Sequence, residues 1–155
     1  VRLEELASAD IQRVAIAQPE HAPYGRAAKQ ALERKGLWEA VKPKLVYGEN
    51  VLQTMQYAVT GNADAAIIAL SLAVARDGQF VPIEPALHDP IDQALVVCGR
   101  DRRAAAGAEF VRFLGSPAGR EVMTRYGFLL PGEVLGEGGA LPQANVAPSS
   151  PLTPL

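Results

Sequence analysis

The sequence predicts an α/β domain built on a largely parallel or mixed sheet, and three observations predict it. Short apolar runs alternate with helix-period segments, the pattern of strand–helix–strand units. Gly36, Pro43 and Gly61-Asn62 stop three of the helical segments. A length of 155 residues at 48% hydrophobic content is enough for one compact domain with a real core.

The elements follow in chain order. Leu3 to Ala7 reads as a short helix or turn, and Gln12 to Ala17 as a strand. Tyr24 to Lys35 is a helix with Ala28, Ala31 and Leu32 on one face. Leu37 to Val41 is a helical turn, followed by a strand over Lys44 to Tyr47. Gly48-Glu49-Asn50 is a turn, with Asn50 as N-cap of a helix reaching about Val59. Ala65 to Leu70 is wholly apolar and reads as a strand buried on both faces. Phe80 to Ile83 and Gln93 to Cys98 read as further strands. Asp101 caps a helix over Arg102 to Leu114, and Ser116-Pro117 opens another that ends at Tyr126-Gly127. There is no internal repeat. From Gly132 the composition turns to Gly, Pro and Ser and reads as a flexible tail.

Composition excludes several function classes. A net charge of −2 gives no reason to expect nucleic acid or a membrane surface as partner. No run approaches the roughly 20 apolar residues of a membrane-spanning helix. Val1-Arg2-Leu3-Glu4-Glu5-Leu6 lacks the apolar stretch of a signal peptide and begins without Met, so the chain reads as processed or as a piece of something longer. Cys98, the one cysteine, sits in an apolar run and reads as a buried structural thiol. His21 and His88 are far apart, with no clustered ligands beside them, so no metal site by side-chain ligation is expected. There is no GxSxG elbow, Walker loop, GxGxxG or HExxH, and no catalytic residue is assigned.

The informative feature is a pair of helix starts, each after a strand. The first is Ala22-Pro23-Tyr24-Gly25, where Pro suits a position whose N–H has no partner anyway. The second is Asn50-Val51. Free N–H groups at a helix start carry partial positive charge and bind anions without any basic side chain. Both starts belong at the carboxyl ends of strands, where α/β sheets place ligands. If the strands are neighbours, the two sets of donors converge on one small anion.

The specific strings carry more than the pattern. Ile16-Ala17-Gln18-Pro19-Glu20-His21-Ala22-Pro23-Tyr24-Gly25-Arg26-Ala27-Ala28 resembles a signature of the periplasmic molybdate-binding proteins of ABC importers. So do Leu37-Trp38, Pro43 to Val51, Thr60 to Ala65, Ile68 to Ser71, Leu87 to Gln93, Ser116 to Arg120 and Arg125 to Phe128, in that order. The similarity runs from about Leu3 to Pro131.

The resemblance implies a type II periplasmic-binding-protein fold, in which two α/β lobes close on a tetrahedral dianion. It implies molybdate or tungstate as ligand, no cofactor, no enzymatic activity, an ABC importer permease as partner and a periplasmic or cell-envelope location. Carried over by motif, Tyr24 and Val51 are backbone N–H donors, and the residues expected to bind the oxyanion are Tyr24, Val51, Pro23, Gly25 and Asn50. Some members have a tyrosine where this chain has Ala69, and Tyr24 is placed to close that side of the cleft. Matched to the family, residues 1–94 are the second lobe, 95–131 the segment that returns to the first lobe, and 132–155 a tail; a first lobe is not present. The orphaned helices then expose Phe110, Val111, Phe113, Leu114, Val122 and Met123 or bury them by self-association. Lobe closure is expected to hinge near Val14–Ala17 and Gln93–Val97. The alternative reading is an oxyanion-sensing or dimerising binding module without a transport role.

Overall fold

The computed structural model describes residues 2–76, 78–99 and 102–129. Its sheet has three strands, β1 (Val14–Ala17), β2 (Leu45–Gly48) and β3 (Ala65–Ala66), in the order β2-β1-β3 and all parallel. Helix α1 (Pro23–Arg34) links β1 to β2 together with the short α2 (Trp38–Val41). Helix α3 (Val51–Val59) links β2 to β3. The chain continues through α4 (Leu70–Ala73), then, among the described residues, irregular segments with one 3₁₀ turn at Pro85–Leu87, and then α5 (Arg102–Gly115) and α6 (Pro117–Arg125).

The two crossovers leave the centre in opposite directions, from β1 to β2 and from β2 back past β1 to β3. Right-handed crossovers run in opposite directions put α1 and α3 on opposite faces of the sheet. That is why all four residues of β1 are buried, although successive side chains point to opposite sides. Helix α1 presents Ala27, Ala28, Ala31 and Leu32 to the core, the face that its apolar spacing predicts. Leu6, Val14, Leu32 and Val41 form the buried cluster, with Trp38, Leu45 and Ile67 packed around it.

Local chemistry sets the ends. Gly36, at φ +70°, ends α1: Leu37 N–H donates to the Leu32 carbonyl (2.8 Å) and Gly36 N–H to that of Glu33 (2.9 Å). This double closure needs a left-handed residue, which glycine adopts without steric cost. Ser116 caps α6 by accepting from Gly119 N–H at 3.2 Å. The Asp64 carboxylate, just before β3, accepts from the N–H groups of Gln12 and Arg13, both at 2.8 Å. It thereby fixes the start of β3 beside the start of β1, and those two donors hold its carboxyl below the usual range.

Several expectations are corrected. The apolar run Ala65–Leu70 is a strand only at Ala65–Ala66; these residues are half-buried, and Leu70 already opens α4. Beyond Ile67, whose N–H still donates to the Ala15 carbonyl (2.9 Å), the chain leaves the edge of β1. Phe80–Ile83 and Gln93–Cys98 are not strands. An apolar run becomes a strand only beside an edge with free N–H and C=O groups, and both runs lie off the sheet. Cys98 is exposed for the same reason, as are Leu95 and Val96. Val14 and Ala15 are paired on both sides, Ile16 and Ala17 pair with β2, and all four are buried, so β1 is the centre of the sheet. Asp101 and the tail from Gly132 lie outside the described residues. Phe110, Val111, Phe113 and Val122 are exposed, as expected, while Leu114 and Met123 are half-buried.

Two outcomes follow. Ile16→Ala is expected to lower the unfolding free energy by about 3 kcal/mol in urea titration, with an unchanged denaturant slope, because removing a fully buried branched side chain leaves a cavity between the sheet and the helix packed on that face. Asp64 has a depressed folded pKa, so its contribution is present above the unfolded carboxylate value of about 4 and is lost as pH falls through the folded value. Asp64→Ala is therefore expected to be less stable at pH 7 and to lose less on acidification, as read by thermal midpoints between pH 7 and pH 3.

Candidate functional site

The two helix starts lie side by side. Ala17 and Gly48, the last residues of β1 and β2, are paired in register, and Gln18 N–H extends the pairing to the Gly48 carbonyl at 2.8 Å. From this shared edge the chain reaches α1 at Pro23 and α3 at Val51. The intervening loops also meet: His21 Nε2 lies 3.9 Å from the Glu49 carboxylate. The sequence-derived positions Pro23, Tyr24, Gly25, Asn50 and Val51 thus fall on one end of the sheet, above adjacent strands.

Each start leaves backbone donors free. Helix α1 has no side-chain cap; Pro23 carries no N–H, and the first intrahelical donor is Arg26, to the Ala22 carbonyl at 3.1 Å. The N–H groups of Tyr24 and Gly25 therefore lack an intrahelical partner. In α3 the Asn50 side chain accepts from Gln53 N–H at 2.9 Å, and the Asn50 carbonyl accepts from Thr54 N–H at 3.0 Å. The Gln53 side chain reaches back to Glu49 N–H at 2.6 Å. Those bonds leave the N–H groups of Val51 and Leu52 without intrahelical acceptors.

Close approach makes this geometry possible. A Cβ on Gly25 would lie 2.2 Å from the Ala17 carbonyl oxygen, and one on Gly48 would lie 2.6 Å from Thr54 Oγ1. The missing side chains let each helix start sit directly over its strand end. Thr54, fully buried, donates its hydroxyl to the Asn50 carbonyl at 2.9 Å, so the second start carries a satisfied polar lock in the core.

The site offers hydrogen-bond donation rather than proton transfer. His21, Glu20 and Glu49 are exposed at its rim. Partial burial and the nearby Glu20 carboxylate push the Tyr47 phenol up, so it stays protonated at neutral pH. Among the described residues no group of three or more His, Cys, Asp or Glu side chains could hold a metal ion, and no helix is long and apolar enough to cross a membrane. Ala69 ends the run after β3, is buried and caps α4. A shallow depression of about 330 Å³ flanks α1, lined by Pro19, Glu20, Arg26, Lys29, Gln30 and Glu33; it does not include the α3 start.

Two residues that contact α1 are not among the site residues of the sequence reading. Gln93 Nε2 donates to the Tyr24 hydroxyl at 2.9 Å, and Asp89 is bonded to Gln30 and Arg34 on α1. The string Leu87 to Gln93 belongs to the resemblance, but spacing alone does not show that it lies along α1, since the partners are up to 69 positions apart.

Comparison with known proteins gives a consistent outcome. The profile of the family described as bacterial extracellular solute-binding protein matches residues 1–129. The molybdate-binding protein ModA of Rhodobacter capsulatus is 35% identical over 121 residues, which are 77% of this chain and 48% of that protein. A putative ABC transporter substrate-binding lipoprotein of Bacillus subtilis is 33% identical over 122 residues, 77% of this chain and 47% of that protein. The structure of the periplasmic molybdate-binding protein of Azotobacter vinelandii superimposes with a TM-score of 0.69 at 26% identity, covering 81% of this chain and 57% of that one. The chain spans about half the length of the curated relatives it matches.

Gly25→Ala tests the close approach. Alanine favours helix over glycine by roughly 0.5–1 kcal/mol, yet here its Cβ collides with the Ala17 carbonyl. The variant is expected to be destabilised by about 1–3 kcal/mol in urea titration, the opposite sign to helix propensity.

Proposed function

The chain belongs to the bacterial extracellular solute-binding protein family, and from that premise we propose that it binds a tetrahedral oxyanion of the molybdate or tungstate type for delivery to an ABC importer permease. The observation that carries the reading is the pairing of two helix starts over adjacent strand ends, with the N–H groups of Tyr24, Gly25, Val51 and Leu52 left without intrahelical acceptors. A dianion in that position gains charge-assisted hydrogen bonds and favourable helix dipoles without a compensating cation. Tyr24 and Val51 are the principal donors; Pro23 and Asn50 set the starts and Gly25 permits their approach. The ligand class is taken from the two molybdate-binding relatives, the importer from the Bacillus protein, and a periplasmic or envelope location from the same relatives.

In this reading residues 1–94 act as one ligand-binding lobe and residues 95–131 as the segment that docks on another. Closing motion would hinge near Val14–Ala17 and Gln93–Val97. The exposed Leu95, Val96, Phe110, Phe113 and Val122 favour a second reading, a module that associates through α5 and α6. Sedimentation equilibrium distinguishes them: a dimer that persists without anion favours association.

Isothermal titration with sodium molybdate, against sodium sulfate, tests the first reading. Saturable heat with molybdate and weaker or no heat with sulfate is expected; no heat with molybdate overturns it. Val51→Pro sharpens the test. Val51 is the first residue of α3, where proline is tolerated, and Asn50 before it is extended (φ −149°, ψ 171°), as a pre-proline residue prefers. The variant replaces the Val51 N–H by the ring Cδ and removes the isopropyl group. It is expected to keep the fold and to bind molybdate at least about tenfold more weakly, because one hydrogen bond to a charged group is lost and Cδ stands where the N–H pointed.

A further inference from the structure

Residues 84–93 run antiparallel to α1, from its last turn to its first, and side chains fasten them at successive levels. At the far end Lys35 Nζ lies 3.8 Å from the Glu84 carboxylate. Next, Arg34 donates to the Ala86 carbonyl at 3.1 Å and to the Asp89 carboxylate. Gln30 contacts Asp89 twice: its Nε2 donates to Oδ2 at 2.7 Å and its Oε1 accepts from Asp89 N–H at 2.9 Å. A side-chain amide that engages both the carboxylate and the backbone of one residue fixes that residue's orientation as well as its distance. Arg34 and then Gln30 hold the Asp89 carboxyl below its usual range, so this fastening is charged at neutral pH. Four residues on, the segment ends with Gln93 Nε2 donating to the Tyr24 hydroxyl at 2.9 Å.

We propose that Asp89 is a positioning residue for the oxyanion site: by clamping this strap to Gln30 and Arg34 it delivers Gln93 to Tyr24 and fixes the phenol at the α1 start as an outward hydrogen-bond donor. The inference rests on the oxyanion reading above. Gln93 occupies a lone pair of the phenol oxygen, so the phenol's own proton remains available to an acceptor. A hydroxyl that accepts one bond donates a stronger one. Tyr24 then contributes a side-chain donor beside its backbone N–H, and its ring is held from two directions, by α1 and by the strap.

The test uses the full chain with ¹³C-labelled tyrosine, and Asp89→Ala, Asp89→Asn, Gln93→Ala and Tyr24→Phe variants. Without molybdate, Asp89→Ala and Gln93→Ala are expected to shift the Tyr24 ring resonances, while Asp89→Asn, which still offers an acceptor, keeps them near the wild-type position. In calorimetric titration with sodium molybdate, Asp89→Ala is expected to weaken binding three- to tenfold at a nearly unchanged thermal midpoint. In the Tyr24→Phe background the same substitution is expected to add nothing. Tyr24 resonances unmoved by Asp89→Ala overturn the clamp whether or not molybdate binds. An affinity loss that persists undiminished in the Tyr24→Phe background also overturns it, since the effect then bypasses the phenol. A wild-type chain that takes up no molybdate overturns the oxyanion reading and Tyr24's role as its donor, and the resonance shifts still judge the clamp separately.

Discussion

The burial of β1 on both faces is the constraint on which the structure depends. Val14–Ala17 pairs with β2 along its length and, at Val14 and Ala15, with β3 on the other side, and helices cover it above and below. Four small or branched apolar residues meet that demand with no polar group to satisfy. Because the strand is central and parallel to both neighbours, its carboxyl end must release the chain into α1 next to the point where β2 releases it into α3. The shared edge at Ala17 and Gly48 is therefore a consequence of the core, and the free N–H groups gather there because parallel topology collects helix starts at one end.

This arrangement suits a dianion for a reason of electrostatics. Backbone donors are held in place by the helices that carry them, so an anion there would not have to reorient them, and no lysine or arginine would have to be desolvated. Two glycines and one buried threonine supply the fit: Gly25 and Gly48 allow each helix to approach its strand, and Thr54 ties the α3 start to Asn50. The strap along α1 adds a layer outside the donors. Its contacts are exposed and individually weak, and the last of them ends on the Tyr24 hydroxyl. Helices α5 and α6 pack on each other and leave Phe110, Phe113 and Val122 exposed.

Much of this was legible residue by residue. The Pro at the start of α1, Gly36 past its end, Asn50 before α3 and Ser116 before α6 are local signals whose physics lies within a few positions, and the structure has each where its chemistry predicts. The pair of helix starts was legible for the same reason, as were the residues that form them. The runs Phe80–Ile83, Gln93–Cys98 and most of Ala65–Leu70 misled because apolar sequence reports a tendency to be buried or paired, while a strand also needs a partner edge. Cys98 followed the same error, taken as buried from its apolar neighbours and found exposed.

The sequence by itself therefore determined what short-range chemistry determines: where α1, α3 and α6 begin, which face of α1 turns inward, and which residues carry free N–H groups. Its ordered motifs also pointed to the family to which the chain belongs. Only the tertiary structure decided that β1 and β2 are neighbours, that Asp64 ties the start of β3 to β1, and that Asp89 and Gln93 reach Gln30, Arg34 and Tyr24. Those relations join residues some 30 to 70 positions apart, and nothing in the intervening spacing encodes them. They are fixed by the direction of the crossovers and by which edges the core leaves open.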